Sequence, residues 1–327
     1  MSKNYQLTII MSNYNQAVYI EKAIQSVLAQ KVNFDYKLLI TDDCSTEDNS
    51  VDIIKKYVEN YENIEAIFAD NNGGYLTNIL RAKENTKTEY FCLLDADDYW
   101  TDTEWLQRAF DFLESHGDYA IYEANVLTLQ DKTTKPFLPP KIVSGTYTIE
   151  DFVDNKLFPI TQTTGMFFRN TIFKNGIPEI MKTAIGTLSE RSFEGDVNRF
   201  IMHLKTGKVF YDKRPVGIYR ITSNGIWVRL KNSEKNLLNA RAYMDYYRYY
   251  QEYTEFFSNR SWFFFQKYLD AKQKETMQFT HNEEFISTNE LSNANAVYQF
   301  CHENAGTLRK NNEIYNKLKK IYHIIRS

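Results

Sequence analysis

Tyr90 to Trp100 reads YFCLLDADDYW. Five apolar or aromatic residues, Tyr90 to Leu94, run without a break into three carboxylates, Asp95, Asp97 and Asp98. An unbroken apolar run of this length fits a strand covered on both faces, as in a parallel sheet. The acids then fall at the strand's carboxyl end, where open α/β sheets bind ligands. Crowded carboxylates repel one another unless a cation sits among them. A hard divalent ion, Mg2+ or Mn2+, takes oxygen ligands and keeps positions open for substrate phosphates. The plainer reading is a solvated acidic turn that caps the next helix. D-x-D-D alone leaves both open.

What precedes this stretch gives it a context. Leu7 to Met11 (LTIIM) is a short strand-like run that breaks at Ser12-Asn13-Tyr14-Asn15, residues suited to a turn. Ile20, Ala23, Ile24, Val27 and Leu28 then recur at helical spacing. Tyr36 to Thr41 (YKLLIT) repeats the strand and ends in Asp42-Asp43-Cys44-Ser45, and Val51, Ile54, Tyr57 and Val58 share the face of a second helix. Ile64 to Phe68 reads as a third strand, Asn71 to Gly74 as a turn and Thr77 to Glu84 as a third helix. Such alternation specifies an α/β fold with a doubly wound, mostly parallel sheet and right-handed crossovers. It brings Asn13, Asp43 and Asp95 to Asp98 to one rim, the expected nucleotide crevice. Neither G-x-G-x-x-G nor G-x-x-x-x-G-K-[ST] occurs, so a phosphate must be neutralised by other means. A metal at the acidic cluster would do so.

Composition sets the bounds. The 327 residues suit one large domain or two. With 43% apolar and 15% aromatic residues the chain is globular rather than disordered. A net charge of −3 argues against a dedicated nucleic-acid binder. Cys44, Cys92 and Cys301 are scattered without metal-type spacing, as expected of reduced cysteines in a cytoplasmic protein. The first apolar stretch is too short for a signal peptide, and no window approaches the roughly 20 apolar residues of a membrane span.

Four segments resemble the nucleotide-sugar glycosyltransferases of family 2: residues 7 to 30, 38 to 50, 71 to 100 and 193 to 227, in the family's order and approximate spacing. The resemblance implies the GT-A fold, a UDP-sugar donor, a divalent metal and inverting transfer. By it Asp43 would meet the uracil edge, with Asn13 and Tyr14 lining base and ribose. Asp95 and Asp97 stand as the family's D-x-D, Asp97 binding the metal and Asp95 lying near the ribose and the metal's water shell. An arginine often precedes the asparagine matched by Asn78; here it is Thr77, so a basic contact must come from elsewhere, with Arg81 the nearest candidate.

Transfer to an alcohol needs a base at the acceptor hydroxyl, and a carboxylate serves at neutral pH. Glu194-Gly195-Asp196 aligns with the family's acid pair, which makes Asp196 the expected base and Glu194 the fallback. Both acids would also suit the positive end of the following helix. Where relatives frequently carry Y-R-x-H, this chain has Tyr219-Arg220-Ile221-Thr222, without the histidine. Arg220 or Arg229 is then the candidate partner for the diphosphate. Leu127 to Phe168, with its T-x-T-T-G stretch at Thr161 to Gly165, reads as an edge strand and connecting loop or as part of an acceptor pocket.

From Ser233 the pattern is helical. Tyr243, Tyr246, Tyr250, Tyr253 and Phe257 form a seam spaced 3, 4, 3, 4, suited to packing along another helix or a symmetric partner. Residues 308 to 327 carry a basic amphipathic pattern, which fits either a packed terminal helix or a contact with the inner face of an anionic membrane. The expected organisation is a catalytic domain over 1–232, with a nucleotide-sugar half (1–100) and an acceptor half (101–232), and a helical domain over 233–327. The expected reaction moves a sugar to a saccharide or lipid-linked saccharide of a growing surface glycan. The rivals are a sugar nucleotidyltransferase, which would want a glycine-rich basic loop where SNYNQ stands, and a catalytically silent sugar-binding or assembly subunit.

Overall fold

The computed structural model describes residues 4–154, 158–223, 225, 227–278 and 288–304. They fall into two compact units. The first comprises the described residues of Met1–Ile185 and Glu194–Thr222, the second those of Gly186–Phe193 and Ser223–Ser327.

The first unit opens with the alternation the periodicities predict: β1 (Leu7–Asn13), α1 (Ala17–Leu28), β2 (Tyr36–Asp42), α2 (Ser50–Asn60), β3 (Ile64–Phe68), α3 (Gly74–Glu84) and β4 (Tyr90–Leu93). After β4 come β5 (Tyr99–Trp100), α4 (Trp105–Ser115), β6 (Tyr119–Gln130), β7 (Thr133–Pro136), β8 (Gly145–Tyr147), α5 (Ile149–Val153), β9 (Met166–Arg169) and α6 (Glu179–Ala184). The chain then runs through α7 (Glu190–Glu194), all but its last residue in the second unit, and returns to the first with α8 (Asp196–Leu204) and β10 (Lys208–Arg220). One sheet runs in the order β3-β2-β1-β4-β9-β6-β10-β5, with β7 on β6 and β8 on β10. Parallel pairing joins β3 to β2, β2 to β1, β1 to β4 and β6 to β10, while β9 runs antiparallel between β4 and β6. This mostly parallel sheet with its helices and reversed inner strand is the α/β arrangement that the alternation of elements predicts, apart from the reversed strand.

Burial follows the sequence pattern. Every residue from Tyr90 to Leu94 is buried, as an apolar strand covered on both faces requires. Ile20, Ala23, Ile24 and Val27 of α1 are fully buried in the same core as Leu7, Ile9, Met11, Leu38 and Ile40.

One sequence expectation needs correction here. Part of the stretch read as an edge strand and loop, Met166–Arg169, lies in the middle of the sheet, and Phe167 and Phe168 are fully buried. Its partners in β4 and β6 are distant in sequence, so local pattern alone could not place it. Lys208 to Arg220 is one strand despite Pro215, because the register to β6 shifts on both sides of the proline.

Gly165 marks the entry to β9. A Cβ there would sit 2.2 Å from the Ala124 carbonyl oxygen. Backbone cannot yield as a side-chain tip does, so Gly165→Ala should lower stability by about 1–3 kcal/mol. Denaturant unfolding of the two proteins measures this directly.

The second unit is helical: α9 (Asn232–Tyr250), α10 (Thr254–Gln278) and α11 (Thr288–Glu303). The aromatic seam is not carried by a single helix. It breaks between α9 and α10, where Gln251 and Tyr253 take φ of 51° and 56°. Successive contacts run antiparallel: Tyr250 stacks on Phe257, the Ser261 hydroxyl donates to the Ala240 carbonyl, and Tyr243 stacks on Phe264. The seam is therefore covered within this unit by α10. The basic amphipathic segment 308–327 lies outside the described residues. Among the described residues no helix is long and apolar enough to cross a membrane.

Candidate active site

The rim at the carboxyl ends of β1, β2 and β4 is built by hydrogen bonds that the turn residues supply. Asn13, at the end of β1, is buried and donates through Nδ2 to Asp42 Oδ2 at 2.7 Å, Ser50 Oγ at 3.1 Å and Ser45 Oγ at 3.2 Å. It braces the first two strand ends against each other, while neighbouring Tyr14 is 43% exposed and open to a ligand. Asp43 accepts the backbone N–H of Gly73 at 3.0 Å and that of Gly74 at 2.8 Å. Arg81 Nη1 lies 3.8 Å from Asp43 Oδ1 and donates to Asn78 Oδ1 at 2.9 Å. Asn78 in turn donates to the Thr41 carbonyl at 2.9 Å. Asn78 thus aims Arg81 at Asp43, and a cation stands at this corner although residue 77 is threonine.

At the end of β4 the chain turns through Asp95, whose carbonyl accepts the Asp98 N–H at 2.9 Å. The three carboxylates are then treated differently. Asp98 is buried and committed: Oδ1 accepts the Arg220 N–H at 2.9 Å and Oδ2 the Thr164 hydroxyl at 2.6 Å. Asp95 Oδ1 accepts the Ser12 hydroxyl at 3.2 Å. Asp97 receives no side-chain donor among the described residues; burial raises it above the usual carboxylate range, and its own backbone N–H and the nearby charge of Arg220 offset this only in part. Burial, then the charges of Asp97 and Asp196, push Asp95 up to about 7. Asp98 is raised further by burial and by Asp97 and Asp95. Four acids from two segments, the turn after β4 and the start of α8, therefore share one field.

This donor set fits a hard divalent ion. Asp97 has both oxygens clear of side-chain donors, Asp95 has one, and their mutual repulsion is the kind a cation relieves. Among the described residues no group of three or more His, Cys, Asp or Glu side chains is arranged to hold a metal. An ion here would complete its shell with water and substrate phosphate, the habit of Mg2+ at phosphate sites.

Asp196 opens α8, with Gly195 as the N-cap residue. Its Oδ1 accepts from the Thr163 hydroxyl and from Arg199 Nη2 at 2.5 Å. Behind it lies a buried basic layer. Arg199 is 1% exposed, with Nε and Nη1 unpartnered. Burial and the charge of Arg199 hold Lys83 well below the usual lysine range, and its ammonium nitrogen lies 4.4 Å from the centre of the Phe173 ring. Burial pushes His203 down to about 3, with Nδ1 at the Arg199 carbonyl. Among the described residues, Asp196 is the carboxylate that meets this layer, through Arg199. Glu194 ends α7, and its side chain lies outside what is described.

Arg220 is held over the acids. Its guanidinium donates to the Asp97 carbonyl and lies 4.5 Å from the centre of the Tyr99 ring and 5.0 Å from that of Tyr19. Arg229 is exposed and belongs to the second unit. Sequence reasoning assigned no role to Ser12 or Arg199, and offered Thr163 and Thr164 only as part of an acceptor pocket, not as partners of the acids. The T-x-T-T-G stretch was the available signal for two of them, since clustered hydroxyls before a glycine have a donor to spend.

A sheet of this topology with acids gathered at its carboxyl rim defines a glycosyltransferase of the GT-A class. The chain belongs to glycosyl transferase family 2, whose model matches residues 8–177. It is 30% identical over 229 residues to an uncharacterized glycosyltransferase of Mycoplasma pneumoniae, covering 69% of this chain and 71% of that one. Its fold is similar to that of Staphylococcus aureus TarS 1–349, solved with UDP-GlcNAc, at a TM-score of 0.58, 17% identity and coverage of 90% and 80%. A mannosyltransferase of Pyrobaculum calidifontis, PcManGT, solved with GDP-Man and Mn2+, is similar at a TM-score of 0.50, 11% identity and coverage of 99% and 86%.

Proposed function

We propose that this glycosyltransferase moves a sugar, with inversion, from a UDP-sugar to a hydroxyl of a growing surface glycan, on a saccharide or lipid-linked saccharide acceptor. The observation that carries the reading is the convergence of Asp95, Asp97 and Asp196 in one electrostatic field, although the chain separates the first two from the third by about a hundred residues. Tyr14 and the Asp43–Arg81 corner receive the nucleoside, and Asp95 lies toward the ribose. Mn2+ or Mg2+, held through Asp97 with Asp95, would supply positive charge to the departing diphosphate. Arg220 adds a fixed cation on the same side.

Asp196 takes the proton of the acceptor hydroxyl. The acceptor oxygen then bonds to the anomeric carbon as the bond from that carbon to the diphosphate breaks, in a single displacement that inverts the centre. The other candidates fit less well. A nucleotidyltransferase has no basic glycine-rich loop here, and a silent subunit has no use for an acid a third exposed and held by two donors.

The test is a screen of nucleotide sugars, with and without manganese, read as a shift in melting temperature. Free ligand at about a hundred times its Kd stabilises the folded state by about 2.7 kcal/mol. A UDP-sugar should give the largest shift, and manganese should enlarge it. A guanine nucleotide sugar winning the screen would overturn the choice of donor. Absence of any shift, together with no EDTA-sensitive release of UDP, would favour the silent reading.

A further inference from the structure

The dipeptide Thr163-Thr164 touches both halves of the acid constellation. The Thr163 hydroxyl donates to Asp196, and the Thr164 hydroxyl donates to Asp98 at 2.6 Å. Adjacent Cα atoms lie a fixed ~3.8 Å apart, so the offset between the candidate base and the β4 acids is set through one peptide unit. We propose that Thr163 is a positioning residue for transfer, locking the Asp196 carboxylate so that a single oxygen faces the acceptor. This role rests on the reading of Asp196 as the base.

Three hydrogen bonds close a triangle around Asp196 Oδ1. Arg199 Nη2 donates both to that oxygen, at 2.5 Å, and to Thr163 Oγ1, at 3.0 Å. The Thr163 hydroxyl, having accepted from the guanidinium, spends its own proton on the same Oδ1. Oδ1 thus carries two donors, whereas nothing among the described residues donates to Oδ2. The proton leaving the acceptor goes to Oδ2, and the carboxylate cannot turn without breaking both contacts. A base fixed in this way avoids the loss of rate that a misplacement of about 1 Å brings.

The segment that presents Thr163 is itself immobilised. The Thr161 N–H donates to Glu123 Oε2 at 3.2 Å, and Glu123 is fully buried in β6. The Thr164 carbonyl accepts Trp100 Nε1 at 2.8 Å, and the Gly165 N–H returns to the Gln162 carbonyl at 2.8 Å. Gly165 is pressed against Ala124 so closely that no Cβ fits. Thr163 therefore offers its hydroxyl from a fixed point, while Asp196, a third of whose side chain is exposed, is the member that needs fixing.

The experiment compares Thr163→Val, Thr163→Ala and Thr163→Ser in the full-length protein, using the donor that the melting screen selects. Valine keeps the shape and removes the proton. Its kcat for transfer should fall about tenfold to a hundredfold, while the donor KM and the UDP-induced melting shift stay as in the parent. Alanine should behave as valine does, and serine should restore most of kcat. Parental kcat in both the valine and alanine proteins overturns the proposal. So does a parallel loss of kcat, donor KM and UDP shift that serine fails to rescue, because that pattern marks a merely structural threonine. Asp196→Asn serves as the control. If it turns over normally, the base assignment falls and takes this role with it; if it is inactive while Thr163→Val is normal, only the role of Thr163 is lost.

Discussion

Asp196→Asn should lower sugar transfer by about 10²–10⁴, the usual worth of a positioned general base, while leaving the UDP-induced melting shift in place. Asparagine retains an oxygen for the Thr163 hydroxyl and for Arg199, so α8 keeps its start. What it loses is the ability to take a proton. The change also leaves Arg199, 1% exposed, without its carboxylate. Breaking a buried pair is costly because the remaining charge stays in a poor solvent. That cost is moderated here, since the Asp196 side chain is a third exposed and the pair is partly screened. Asp196→Ala should therefore be the less stable of the two proteins while being no less inactive. Single-turnover transfer and melting, measured on both, separate the two effects. A fully active asparagine variant would move the base elsewhere, with Glu194 next in line.

How much of this was written in local sequence differs from one element to the next. The strands and helices up to Trp100 were legible because each carries its own periodicity, and because an apolar run ending in acids has few other meanings in an alternating chain. The position of β9 was not, since Met166–Arg169 is defined by neighbours in β4 and β6 that lie far away in the chain. Asp98 looked equivalent to Asp95 and Asp97, yet tertiary structure commits it to Arg220 and Thr164. Arg199 shares a helix face with Asp196 and His203, a polar pattern that reads as solvent-facing, so nothing local shows that it is buried. The break after Tyr250 was invisible for another reason. Gln251 and Tyr253 adopt positive φ without a glycine or proline to announce it, so an even aromatic spacing read through a turn.

The acids at the end of β4 should show a conflict between stability and activity. Asp97→Asn removes the charge that raises Asp95 and Asp98 alongside burial. In metal-free buffer the variant should melt no lower than the parent, because the carboxylates that remain repel less. Its transfer activity should nevertheless collapse. Charge stabilisation of a leaving group by a bound ion is worth several kcal/mol, and each ~1.36 kcal/mol is a factor of ten, so a fall of at least about a hundredfold is expected at saturating manganese. Chelation of the parent with EDTA should give a similar loss, and EDTA should do little further to the variant. Manganese should raise the melting temperature of the parent with UDP present and that of the variant much less. A protein that gained stability and kept its rate would show that Asp97 holds no ion. One that lost both stability and rate would mean that Asp97 braces the turn, a role its lack of side-chain donors does not suggest. Only gain on one side and loss on the other is the signature of charge gathered for a ligand at the expense of the fold.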